Sequence, residues 1–159
     1  MASAGHERAL SSAQAAGIAV QVLAYGQVSS VAEAAAARGV EVADVVKTLV
    51  VRRAEDDYVF VLVPGDRGIS WPKLRALLGV SRLSMPDAAT ALAATGYERG
   101  TITPFGSTTA WPVIADERLA GRRITLGAGE HGLALAVLAD DAVAALDATV
   151  ADVTEPLAG

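Results

Sequence analysis

Lys47 is the residue whose surroundings most invite a chemical role. It stands in Val45-Val46-Lys47-Thr48-Leu49-Val50-Val51, a run whose β-branched density predicts a buried strand. An ammonium there either points outward from a half-buried strand or sits at the rim of a pocket. In the second case a ligand phosphate or carboxylate would pair with it as with a compact point charge. The other suggestive stretch is Gly96-Tyr97-Glu98-Arg99-Gly100-Thr101-Ile102-Thr103-Pro104-Phe105-Gly106. Its glycines let the main chain approach a ligand closely, and Pro104 stiffens it. Exposed N–H groups in such a loop can hold a carbonyl or oxyanion without a side-chain base. An ordinary helix-to-strand loop has the same letters.

Other candidates carry less. Gly127-Ala128-Gly129-Glu130-His131-Gly132 spells a G-x-G-x-x-G pattern, but a strand is predicted directly after it. A dinucleotide motif needs a helix N-terminus there, so a tight turn or a pocket wall is the better reading. His131 reads as a surface turn residue with no informative acid nearby, and His6 lies in a terminus expected to fray. Ser107-Thr108-Thr109 lacks the G-x-S-x-G elbow of a serine hydrolase. Asp56-Asp57 and Asp140-Asp141 read as solvated turn residues.

Composition narrows the classes. The 159 residues are 52% hydrophobic and 19% charged, as expected of one folded domain over 1–159 with a core from about 18 to 153. Cysteine is absent, which removes disulfides, thiolate metal sites and a cysteine nucleophile. With only His6 and His131, no metal and no cofactor is expected. No apolar run is long enough for a membrane span, and Met1–Arg8 does not read as a secretion signal, so a cytoplasmic location is expected. The net charge of −5 argues against broad nucleic-acid binding and leaves room for a focused basic patch. Arg52, Arg53, Arg75, Arg82, Arg99, Arg122 and Arg123 could supply it. Only Lys47 and Lys73 are lysines beside eleven arginines.

The elements that must position these residues follow from local signals. Ala9–Ala16 reads as a short helix and Ile18–Leu23 as a strand. Ser30-Val31-Ala32-Glu33 is a capping box opening a helix that ends at Gly39. Val45–Arg52 and Tyr58–Val63 predict a hairpin across Glu55-Asp56-Asp57. Ser70-Trp71-Pro72 and Ser84-Met85-Pro86-Asp87 open two further helices, ending near Gly79 and Ala94. Short strands are expected at Val113–Ala115 and Arg123–Leu126, around a turn that includes Asp116. Leu133–Leu138 predicts a strand, Ala142–Leu146 a helix and Thr149–Val153 a last strand. Helices and strands mix without strict βαβ alternation, which predicts α+β with a mixed, curved sheet.

The Lys47 strand, the loop at Gly96-Tyr97 and Gly100–Pro104 with Phe105-Gly106, and the turn at Gly127–Gly132 occur here in a specific order. In that order the chain resembles the YbaK/ProX family of aminoacyl-tRNA deacylases, related to the editing insertion of prolyl-tRNA synthetase. The resemblance covers about Ile18 to Val153. It implies a barrel-like mixed sheet flanked by helices, and hydrolysis of the ester joining a wrong small amino acid to tRNA, as in cysteinyl- or alanyl-tRNA(Pro). It implies that Lys47 holds the 3′-terminal nucleotide by its phosphate. The backbone of Gly100, Thr101, Ile102, Thr103, Pro104, Phe105 and Gly106 would hold the aminoacyl group, with Gly127 and Gly129 in the adjoining turn. No metal or dedicated base is implied; water or a group on the substrate attacks in an imposed geometry. The 3′ end of aminoacyl-tRNA is the implied partner, with a synthetase as a further candidate. Leu23, Tyr25, Gly127 and Glu130-His131 depart from the cysteinyl-specific branch, so other small aminoacyl groups remain open. A non-catalytic module of the same fold, binding an aminoacyl or nucleotide group or a synthetase, is the alternative.

Overall fold

The computed structural model describes residues 3–26 and 28–157, so the ends of the expected 1–159 domain lie outside the described residues. The chain is α+β. Helix α1 (Ala4–Ala15) leads into β1 (Gln21–Ala24) and α2 (Val31–Arg38). A hairpin of β2 (Lys47–Ala54) and β3 (Asp57–Val63) follows, then β4 (Arg67–Ile69) and the helices α3 (Trp71–Leu78) and α4 (Ala88–Thr95). After a long loop come β5 (Val113–Asp116), β6 (Arg123–Gly127), β7 (Leu133–Leu138), α5 (Ala139–Leu146), β8 (Thr149–Ala151) and β9 (Thr154–Pro156).

Two sheets make the framework. The first has the order β1-β7-β6 and is antiparallel. The second, β2-β3-β5-β8, is mixed: β2 and β3 are antiparallel, whereas β5 runs parallel to β3 and to β8. Their junction is a parallel bridge between Val45 and Thr125, with Val46 N–H donating to Thr125 O at 2.8 Å. That bridge bends the strands into a curved, open, barrel-like wall and places Lys47 at its seam. A small third sheet pairs β4 with β9.

Strand β3 shows why its sequence lacks alternation. Val59, Val61 and Val63 face Ile69, Leu74, Ile114 and Val153 on one side. Tyr58, Phe60 and Leu62 face Val50, Ile124, Leu126 and Leu135 on the other. A strand covered on both faces needs apolar residues at every position.

Several expectations shift. Helix α1 begins at Ala4 instead of Ala9, capped by Ser3 Oγ, which accepts from His6 N–H at 3.1 Å. The expectation of a frayed His6 is overturned: His6 is buried and its Nδ1 lies 2.8 Å from Ala128 O. The terminus is ordered by tertiary docking, which local signals do not carry. Strand β1 starts at Gln21 against Ala136, not at Ile18, because β7 gives way to α5 three residues beyond that pair. Asp116 is not in a turn; it ends β5 and is 1% exposed. Asp140 lies in the first turn of α5, where its carboxylate accepts from Gly121 N–H at 3.0 Å. Among the described residues no helix is long and apolar enough to cross a membrane, and no cluster of His, Asp and Glu could hold a metal.

Candidate functional site

Lys47 is the first residue of β2 and lines a cavity of about 640 Å³. Val46 and Val50 are buried in the core, so the strand is anchored while Lys47, half-buried, stays at the cavity wall. Its Nζ donates to the carbonyl of Arg67, and among the described residues no carboxylate pairs with it. Burial lowers its pKa, opposed in part by the attraction of Asp66. The charged form is thus held at a cost that a ligand anion would offset. Beside it Thr48 Oγ1 is buried and has no partner. A buried hydroxyl without a partner is an exception in a folded chain, and this one stands on the cavity wall.

The opposite wall is the glycine loop. Gly100 and Ile102 line the cavity together with Gly127. Gly100 adopts φ +92°, a conformation that a side chain would strain. Gly127 faces the loop so closely that a Cβ there would collide with the carbonyl of Ile102. The remaining loop residues support instead of lining. Thr101, Thr103, Pro104 and Phe105 are buried, while Pro104 and Gly106 border a separate cavity of about 540 Å³ on the other side. Gly129 also lies off the Lys47 cavity, packed against Gly5 of α1.

The loop is held from behind by two side chains to which the sequence assigned no role. Tyr97 is 1% exposed, and its hydroxyl donates to Phe105 O at 2.7 Å, tying one side of the loop to the other. Burial raises its pKa, with the nearby Arg8 opposing. Arg8 of α1 reaches both ends: Nη2 donates to Gly96 O at 2.9 Å and Nε to Gly106 O at 3.4 Å. Its guanidinium lies 5.0 Å from the Tyr97 ring centre. Gly129 N–H donates to Thr101 O at 3.0 Å, coupling the loop to the glycine turn. Tyr97 belongs to the loop motif without an assigned role, and Arg8 carries no motif; their convergence in space marks them.

The cavity offers one carboxylate, Asp87. It caps α4, accepting from Thr90 N–H at 2.8 Å, and its pKa is lowered by the Thr90 hydrogen bonds. A carboxylate so engaged is a weak base. Arg38 and Arg99 complete the rim. Of the seven arginines expected to form a patch, Arg99 alone lines this cavity. Arg53 is paired with Asp57 at 2.9 Å, and Arg122 with Asp44 at 2.6 Å. Arg123 donates to Gln21 at 2.8 Å. Arg38 takes a place the sequence did not suggest, because a cation ending a helix reads as a favourable dipole contact. His131 is exposed, yet it has an acid: its Nε2 lies 3.2 Å from Glu98 Oε2.

Residues 26–145 match the model of the aminoacyl-tRNA editing domain, well over half of the chain. Residues of the chain are 37% identical over 90 positions to the proline–tRNA ligase of Thermosipho melanesiensis, which is 57% of this chain and 16% of the ligase. The chain therefore spans a small part of the curated relatives it matches. Among solved structures, a candidate trans-editing enzyme for prolyl tRNA synthetase superposes with a TM-score of 0.85 at 26% identity, covering 98% of this chain and 99% of that one. The hypothetical protein APE2540 superposes with a TM-score of 0.81 at 29% identity, covering 89% and 95%.

Proposed function

Because the chain belongs to the aminoacyl-tRNA editing domain family, we propose that it acts in trans to hydrolyse tRNA mischarged with a small amino acid, cysteinyl- or alanyl-tRNA(Pro) or a similar ester. The observation that carries this reading is the facing pair of walls. A lysine that forms no salt bridge among the described residues stands on one side, and Gly100 and Ile102 of the glycine loop on the other.

In this reading Lys47 holds the phosphate of the 3′-terminal nucleotide, which places the aminoacyl ester against the loop. Water, or a group on the substrate, adds to the ester carbonyl carbon. The bond from that carbon to the ribose oxygen breaks, the attacking group's proton passes to the ribose oxygen, and free amino acid and tRNA result when water attacks. Loop N–H groups stabilise the negative charge that develops on the carbonyl oxygen. With Asp87 engaged at its helix cap, the rate enhancement comes from positioning and electrostatics, not from a protein base. The tight Gly127–Ile102 contact favours small acyl groups by keeping the wall rigid. A synthetase that delivers mischarged tRNA is the partner such a chain would need, because its net charge is −5.

The test is deacylation of tRNA(Pro) charged with cysteine, alanine, serine or proline, with Lys47→Ala alongside. The expected result is selective loss of one small ester, falling at least about 10²-fold in the variant, the scale of removing one key electrostatic group. The engaged state of Asp87 also favours a second reading, a binding module of the same fold. Saturable binding of an aminoacyl-adenosine analogue with no hydrolysis of any ester would establish that reading and overturn the first.

A further inference from the structure

The Lys47 cavity does not close at its rim. Arg38, Val45, Arg99 and Gly100 line it, and the same four residues line a second concavity of about 920 Å³ that continues past Tyr25, Ser29 and His131. Two guanidiniums thus stand on the ridge between two cavities. Among the described residues neither has a carboxylate partner, although the chain carries 18 Asp and Glu and a net charge of −5.

Arg38 is the informative one, because it is half-buried. Its guanidinium lies 4.4 Å from the centre of the Tyr25 ring, and Nη1 donates to Thr125 Oγ1 at 2.9 Å. Its Nε is sealed from water and has no partner. A cation taken partly out of water without a counter-ion is costly, and a planar fork is the shape that suits a phosphate. The stacked Tyr25 and Arg38 form a flat cation–aromatic platform of the kind on which a nucleobase stacks. Glu33, the carboxylate bordering the second cavity, is already engaged. Its Oε2 accepts from Ser29 N–H at 2.6 Å and from Ser29 Oγ at 2.7 Å. On the far side His131 is held by Glu98, and Gly100 of the substrate loop packs against the His131 ring, so the two cavities share a wall.

We infer that the second cavity is a nucleotide subsite. It takes the nucleotide that precedes the terminal one, its base lying on the Tyr25–Arg38 platform, while the phosphodiester that joins the two is the phosphate held at Lys47. This inference rests on the reading of the Lys47 cavity as the place of the terminal nucleotide. Its consequence is preference for a polynucleotide end over a free aminoacyl-adenosine, despite an acidic surface.

Equilibrium binding of two probes tests it: adenosine 5′-phosphate, which fills one cavity, and cytidylyl-(3′→5′)-adenosine, which fills both. The dinucleotide should bind the native chain about tenfold more tightly, the scale of one stacked base. Arg38→Met and Tyr25→Leu should each remove most of that ratio and leave the mononucleotide affinity within about twofold, with thermal melting confirming the fold. Arg38→Lys keeps the charge without the planar fork and should also lose most of the ratio. Lys47→Met should weaken both probes together and preserve the ratio. Equal affinity of the two probes for the native chain, or no measurable dinucleotide binding, overturns the subsite. So does inorganic phosphate that competes with the dinucleotide as well as adenosine 5′-phosphate does, since that describes a bare anion site. If the probes discriminate but neither responds to Lys47→Met, the reading of the Lys47 cavity falls and the inference falls with it.

Discussion

The two lysines of this chain lead opposite lives. Lys73 of α3 is bonded to both oxygens of Asp152 at 3.0 Å and to Thr154 O at 3.2 Å. Arg118 joins the same cluster, 2.8 Å from Asp152 and 3.3 Å from Asp116. Asp116 in turn accepts from Thr154 Oγ1 at 2.8 Å and Val153 N–H at 3.2 Å, pinning β9 to β5. Every charge there is answered within the chain. At the mouth of the Lys47 cavity the ammonium, the Arg38 guanidinium and the Thr48 hydroxyl are held half-buried or buried without such an answer. The first region spends charge on stability. On the proposed reading, the second holds charge in reserve for a ligand and costs stability to do so.

The largest expected effect on the paired region is Asp116→Ala. It leaves the Thr154 hydroxyl and Val153 N–H buried without a partner, at a cost of about 2–4 kcal/mol of stability. Denaturant unfolding measures it, and deacylation per folded molecule should be unchanged. Lost activity in the folded fraction would break the separation of the two regions.

Gly127→Ala is the counterpart at the open region. Its methyl group would meet the Ile102 carbonyl, so the wall must move, at a cost of about 1–3 kcal/mol. Unlike Asp116→Ala, it should also raise KM or lower kcat in the surviving folded protein. Steady-state kinetics beside a melting curve separates the two effects.

Arg8→Met sharpens the comparison from behind the loop. Removing the guanidinium that ties Gly96 to Gly106 should cost about 1 kcal/mol in melting and lower activity without abolishing it. Arg8 would then be a positioning residue, and its effect should fall on kcat more than on binding of adenosine 5′-phosphate.

The smallest effect is the pH response of the cluster. Arg118 and then Lys73 hold the Asp152 carboxyl below its usual range. Its contribution is present above the ordinary aspartate pKa and is lost as pH falls through the lowered value. Asp152→Asn should flatten that acid limb of the stability curve. Lys47 has the same sign at the alkaline end: burial lowers its pKa, so between the lowered and the ordinary lysine value the folded chain binds fewer protons than the unfolded one, and stability rises with pH as the cost of burying the ammonium is relieved.

How much was legible in the sequence follows from how local each signal is. The β2–β3 hairpin could be read because β-branched runs and an acidic turn decide it locally. Gly39 and Gly79 were read as helix stops, and both take the left-handed conformation at C-caps. Strands β4 and β9 were missed because three-residue strands have no pattern of their own and exist through each other. Lys47, Gly100, Ile102 and Gly127, which line one cavity, were singled out because an interrupted apolar run and glycines stand out in one dimension. Arg38, Tyr25, Thr48 and Arg8 were not assigned roles, because each matters through a neighbour far away in sequence: Thr125, Gly96 or the opposite cavity wall.

The central claim is that Lys47 is held open for substrate while Lys73 is used up by the fold. Parallel measurement of Lys47→Met and Lys73→Met, by deacylation of cysteinyl- and alanyl-tRNA(Pro) and by denaturant unfolding, tests it most directly. The account predicts that Lys47→Met loses at least about 10²-fold in deacylation and gains up to about 1 kcal/mol of stability. It predicts that Lys73→Met keeps its activity and does not gain stability. Equal loss of activity in both variants, or full activity in Lys47→Met, would contradict it.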